Sequence, residues 1–141
     1  MKNFCLILLT YKGKVLLLQK DDILHNFLEN DWHFIDRYKD KHKSLEATIT
    51  DEVERETNIK LDSVNLVLRV PRENRTEHLF HARLTDKQVN NIQRNDGKIL
   101  QFFTLQELKK LQLHPSIAAI MSDYTSLIEN LVLPREIIPT P

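Results

Sequence analysis

The sequence predicts an α+β fold, a mixed and largely antiparallel sheet with helices packed on it. Three observations carry this. Two apolar, β-prone runs, Phe4 to Thr10 and Val15 to Gln19, are joined by Tyr11-Lys12-Gly13-Lys14, a polar connector whose glycine marks a hairpin. A helix-period stretch follows at Leu45 to Ile59, reading L-E-A-T-I-T-D-E-V-E-R-E-T-N-I. Strand-like runs then lead to a helical C-terminal segment. The first two runs are almost continuously apolar, which places them in a sheet covered on both faces.

Between the hairpin and the helix, Asp21 to Asp31 reads as a polar loop with one helical turn around Ile23 to Leu28. Trp32-His33-Phe34-Ile35 is a short aromatic strand, and Asp36 to Lys43 is a charged loop. Ser44 can cap the helix, because its hydroxyl accepts from the exposed N–H groups of the first turn. Leu45, Ile49, Val53 and Glu56 recur at steps of four and three, and Glu52 shares their side. Asn58 suits the left-handed position at the helix end. Lys60 to Val70 alternates through Val64, Leu66, Leu68 and Val70 and predicts a strand. Pro71 to Thr76 is a turn, and Glu77 to Leu84 is a further strand. Asp86 to Asp96 is a polar helical excursion around Val89 and Ile92, after which Gly97 releases a strand over Ile99 to Thr104. Thr104 and Glu107 form a capping box for a helix over Leu105 to Leu111. Pro115, just after His114, opens a last helix with Ile117, Ile120, Met121, Tyr124, Leu127, Ile128 and Leu131 at core spacing. One domain is expected over 1–133, with a proline-rich tail over 134–141.

Composition removes several function classes. Charged residues make up 28% of the 141 and sum to zero, so there is no broad field for nucleic acid or a membrane surface. No apolar run is long enough to span a bilayer. The N-terminal run lacks a small-residue cleavage site and is expected as mature structure. The single Cys5 cannot form an internal disulfide and is expected as a buried thiol in a reducing, cytoplasmic setting. His78 and His81 stand three apart on a strand and so face opposite ways, a poor arrangement for a metal. His33 and His42 lie near the helix, but nothing assigns them proton transfer. Only Gly13 and Gly97 exist to build a phosphate loop, and no nucleophile elbow is present. Trp32 and Phe34 belong to the core more readily than to a stacking surface.

Glu52 and Glu56 are the residues with chemical potential. One turn apart, they repel unless something positive sits between them. On a lone helix, solvated acids are the ordinary reading, and the flanking elements change it. The K-G-K-V-L-L-L-Q-K hairpin, the W-H-F-I strand, the D-E-V-E-R-E-T-N-I helix end, F-F-T-L-Q-E-L and H-P-S-I together resemble the Nudix hydrolase family, over roughly Lys2 to Leu131. The family signature is G-x(5)-E-x(7)-R-E-U-x-E-E-x-G-U, with U a bulky aliphatic residue. Laid on 37–59 without gaps, it is matched by Glu52, Val53, Glu56 and Ile59. Arg37, Lys43, Asp51, Arg55 and Asn58 depart from it.

The resemblance implies an α/β/α sandwich and metal-dependent hydrolysis of a nucleoside diphosphate linked to another moiety. Glu52 and Glu56 would be catalytic and would bind Mg2+ or Mn2+. It also implies a nucleotide-type ligand and allows a homodimer. The departures argue that hydrolysis is weakened or lost, because Arg55 has no acceptor atom for a metal and Lys43 replaces another acid. An Asp51–Arg55 ion pair at i, i+4 is the economical expectation, with Asp36 or Asp40 as substitute carboxylates. The alternative is an inactive module that binds a nucleotide or a protein partner. Arg37, Lys43 and Arg55 would then hold phosphate directly, with no metal. A scaffold acting through a dimer is a third reading.

Overall fold

Strand β1 (Lys2–Tyr11) is buried at every position from Phe4 to Thr10. A strand like that needs cover on both faces. The computed structural model, which describes residues 2–20, 31–93 and 98–133, shows what supplies it. Phe4, Leu6 and Leu8 join Val15, Leu17, Phe34, Leu79 and Phe103 against Ile117, Ile120, Ile128 and Val132 of the C-terminal helices. Cys5, Ile7 and Leu9 join Leu16, Ile35, Phe80 and Ala82 against Ile49 and Val53 of helix α1 (Leu45–Thr57). The architecture is an α/β/α sandwich around a mixed sheet.

The hairpin turns where expected. Lys12 and Gly13 have φ of 48° and 77°, the left-handed pair that a two-residue turn requires. Beyond it, β1 and β2 (Lys14–Lys20) pair only at Thr10–Val15 and Tyr11–Lys14, and then diverge. On its outer edge β2 pairs antiparallel along its whole length with β7 (Lys98–Thr104). β1 runs parallel to β6 (Arg75–Arg83), which pairs antiparallel with β5 (Asn65–Pro71). The gap between β1 and β2 is filled by β3 (Trp32–His33) on β2 and β4 (Ile35–Tyr38) on β1. Thus Asp36 to Tyr38 are strand, where the charge pattern had suggested loop.

Three further boundaries differ from expectation. β5 begins only at Asn65, and a bulge between Leu66 and Leu68 breaks its alternation, which leaves Leu66 exposed. The last helix is two, α4 (Pro115–Asp123) and α5 (Thr125–Val132), broken at Tyr124, whose φ and ψ are −127° and 38°. The Thr125 hydroxyl donates back to the Met121 and Ser122 carbonyls at this break. Helices α2 (Asp86–Asn90) and α3 (Leu105–Leu108) each open on a complete capping box, α3 stopping three residues short of expectation. The turn expected at Ile23 to Leu28, the end of the excursion through Gly97 and the tail over 134–141 lie outside the described residues.

His78 and His81 do face opposite sides of β6, each buried. His81 Nε2 lies 2.9 Å from the Thr10 hydroxyl. Burial, helped by Arg83, lowers its imidazole from 6.5 to about 4. The unfolded chain takes up this proton at higher pH than the folded one. The resulting stabilisation is complete above pH 6.5 and is lost as pH falls toward 4. Urea unfolding across that window is expected to show a decline of about 3 kcal/mol from this ring, and His81→Gln is expected to flatten it.

Candidate functional site

Helix α1 is anchored at both ends as its sequence suggests. The Ser44 hydroxyl accepts from Ala47 N–H at 3.0 Å, and Asn58 closes the helix with φ 66°. Its inward face carries Ile49 and Val53 into the core and buries Glu52 and Glu56, which are 4% and 2% exposed. Leaving two buried carboxylates uncompensated would cost several kcal/mol. The chain meets this demand with basic side chains from three elements.

Arg55, on the same helix, donates from Nε to Glu52 Oε1 at 3.0 Å and from Nη2 to Glu52 Oε2 at 2.6 Å. The same Nη2 lies 3.7 Å from Glu56 Oε1. The hydrogen bond to Glu52, with the charges of Glu52 and Glu56, raises the guanidinium above its ordinary value. Arg37 reaches Glu52 Oε1 at 3.3 Å from β4, and Lys98 reaches Glu56 Oε1 at 2.5 Å from β7. Glu56 Oε2 is buried and has no hydrogen-bond partner among the described residues. These five side chains, with Leu18, Ile35 and Asp36, line a cavity of about 170 Å³.

Strand alternation explains who arrives and who does not. Arg37 is opposite Cys5 in register and so shares the α1 side of the sheet with Ile35. Asp36 borders the cavity, but its register opposite Leu6 sets its side chain on the other face. Asp40 accepts from His42 N–H within the 40–43 turn. Neither supplies the substitute carboxylate. The expected Asp51–Arg55 pair does not form. Asp51 instead binds Lys43 at 2.8 Å, and Lys43 is not part of the cavity lining. His42 is exposed, and His33 stacks on His114 with ring centres 4.7 Å apart, away from the lining. Trp32 packs edge-on to Phe103 at 4.8 Å, as a core residue.

Lys98 is the participant that sequence reading passed over. It opens β7 on the same face as Leu100 and Phe102, which pack toward α1. Only the β2–β7 register reveals this, and nothing in the local sequence does.

A hard divalent cation takes several oxygen ligands. The cleft offers two carboxylates, each already bound to a guanidinium or an ammonium. Among the described residues no cluster of three or more His, Cys, Asp or Glu could hold a metal ion. The residues here do not fit Mg2+ or Mn2+. What the arrangement can do is present cations: Arg37, Arg55 and Lys98 meet the two carboxylates of α1 on this face.

The fold is the Nudix fold. A MutT structure from work on Aliivibrio salmonicida and Vibrio cholerae superposes with a TM-score of 0.73 at 11% identity, covering 89% of this chain and 98% of that one. A MutT Nudix hydrolase from Burkholderia pseudomallei gives 0.68 at 16% identity, covering 86% and 95%. The Nudix domain of Shewanella oneidensis NrtR, in complex with ADP-ribose, gives 0.65 at 13% identity, covering 89% and 87%. No family model and no curated protein sequence matches the chain. No described helix is long and apolar enough to cross a membrane.

The Lys98–Glu56 contact is expected to carry a measurable share of stability. Lys98→Met leaves a buried carboxylate short of a partner, at an expected cost of about 3 kcal/mol in urea unfolding. Adding Glu56→Met should recover most of that loss. Additive effects of the two substitutions would show that the contact contributes nothing.

Proposed function

We propose that this protein is a Nudix-fold binding module that has given up metal-dependent hydrolysis. In this reading its cleft holds a nucleoside-diphosphate-type ligand through Arg37 and Arg55, with Lys98 holding Glu56. One observation carries the reading: both α1 carboxylates are engaged by tethered cations. Hydrolysis by the route the resemblance implies needs Glu52 and Glu56 available to a metal, which would activate the attacking water. A guanidinium cannot do that. It is not a Lewis acid with open coordination positions, and it stays protonated. It can bind phosphate oxygens through paired N–H donors. The ADP-ribose in the NrtR Nudix domain supports a nucleotide-type ligand for this fold.

In the bound state, Arg37 and Arg55 would share their donors between the carboxylates and the incoming oxygens, and Lys98 would hold Glu56 back from the ligand. These residues bind and orient, and no bond is broken. Cys5 fits a reducing, cytoplasmic setting, since burial pushes its thiol up to about 11 and leaves it inert.

The direct test has two arms. A panel of nucleoside diphosphate derivatives, incubated with Mg2+ or Mn2+, is expected to stay intact. Calorimetry with ADP-ribose is expected to give the same affinity in Mg2+ and in EDTA, with Arg37→Ala weakening it about tenfold. Cleavage that Glu52→Gln and Glu56→Gln both abolish would return the site to metal-dependent hydrolysis.

A further inference from the structure

We infer that the end of the sheet where β1 begins and β4 ends carries a second anion site, built for a small polyphosphate. Its lining shares no residue with the α1 cleft, and it stands independently of how that cleft is read.

The site is a cavity of about 480 Å³ lined by Lys2, Asn3, Tyr38, Lys39 and Lys41. That volume suits a small molecule. Strand pairing brings the lining together. Tyr38 is opposite Phe4 in the β1–β4 register, and Lys39 N–H donates to the Asn3 carbonyl at 2.8 Å, extending the ladder by one residue. Lys2 and Asn3 thus stand beside Tyr38 and Lys39, and Lys41 follows in the turn before α1.

The side chains that meet here have donors to offer. An ammonium group has donors and no acceptor. The Tyr38 hydroxyl accepts from Arg75 Nη1 at 2.9 Å, which leaves its own proton to donate. Asn3 Oδ1 accepts from His78 Nε2 at 2.9 Å, which leaves the amide N–H groups.

The ammonium groups are positioned without being neutralised. Lys2 Nζ lies 5.4 Å from the Tyr38 ring centre, and Lys39 Nζ donates to the Asp40 carbonyl at 3.1 Å. Both contacts leave the charge intact. Among the described residues, Lys2, Lys39 and Lys41 form no ion pair. Acids on the adjoining elements are committed elsewhere: Asp40 Oδ1 accepts from His42 N–H, and Glu77 is held by Arg72 and Arg75. Like charges on one concave surface repel, and a dense anion relieves that repulsion. A diphosphate or triphosphate concentrates its charge in one small molecule and can face all the lysines at once. A single phosphate meets fewer of them, and the carboxylates of an acidic peptide are spread along a chain.

The experiment titrates the full chain with sodium tripolyphosphate at about 0.02 M NaCl without divalent metal, reading affinity by calorimetry and location by backbone amide NMR. Shifts are expected at Asn3 and from Tyr38 to Lys41, with orthophosphate binding at least about tenfold more weakly. Lys39→Ala and Lys41→Ala should each weaken tripolyphosphate about fivefold, and adding Lys2→Ala to the pair should abolish binding. The free protein's melting temperature should not move, since no ion pair is lost. Raising NaCl to about 0.2 M should weaken binding about tenfold. ATP separates the two sources of such a group. ATP that shifts these amides no more tightly than tripolyphosphate marks a free polyphosphate, and tighter binding marks the phosphate chain of a nucleotide. Shifts confined to Arg37 and to Glu52 through Glu56 would overturn the inference, as would an affinity that the triple lysine variant leaves unchanged. So would an oligoglutamate peptide that binds these residues more tightly than tripolyphosphate does.

Discussion

Two acids buried on one face of one helix, with a single turn between them, constrain everything around the cleft. Their repulsion and desolvation would together cost more than a small domain's margin of stability. The helix cannot turn them outward without exposing Ile49 and Val53, which share the face. Positive charge must therefore come to them, and it comes from three places. Arg55 is local, Arg37 arrives on the strand paired to β1, and Lys98 arrives on the strand paired to β2. The two halves of a sheet that diverges beyond its first hairpin are thereby tied to the same helix.

Ion pairing by itself does not mark a site, and the chain supplies its own control. Glu77 is also buried, 2% exposed, and is held by Arg72 at 3.0 Å and by Arg75 at 3.1 and 2.7 Å. Arg75 in turn lies 3.8 Å from the Phe4 ring centre and binds the Tyr38 hydroxyl. Both arginines flank the β5–β6 turn, where the cluster fixes the hairpin end. Here one carboxylate meets two guanidinium groups across a strand end. The α1 cluster differs in having two acids that share one cation and a cavity in front of them. Those features, and not the salt bridges, set it apart.

How far the sequence reached depends on the range of the interaction that decides each feature. Periods of two and near four found the buried hairpin, α1 with its caps and the inward Glu52 and Glu56, because those patterns are written within a few residues. Asp36 to Tyr38 read as loop because six of the eight residues from Asp36 to Lys43 are charged. Their strand character comes from pairing with Phe4 to Leu6, which local charge cannot reveal. Arg55 departs from the family signature, and its ion partner is Glu52 in place of the expected Asp51. Spacing allows Asp51 at i−4 as readily as Glu52 at i−3, and burial favours the pair with the desolvated acid. Lys43 then compensates the stranded Asp51. Lys98 lay beyond any local pattern, since its position depends on β7 pairing with β2.

A tethered cation and a diffusing one neutralise the same charge, but they differ in what the protein retains. A bound metal stabilises in proportion to the logarithm of its concentration and brings open positions where water or phosphate can bind. A guanidinium on the same helix is present at all metal concentrations and brings only donors. Exchanging one for the other keeps the helix face, the sheet and the cleft, because each needs the charge and not the chemistry. It removes the means to activate water and leaves the means to hold an anion. Retention of the Nudix fold is therefore no evidence of retained hydrolysis, and function here must be argued from the side chains that meet between α1, β4 and β7.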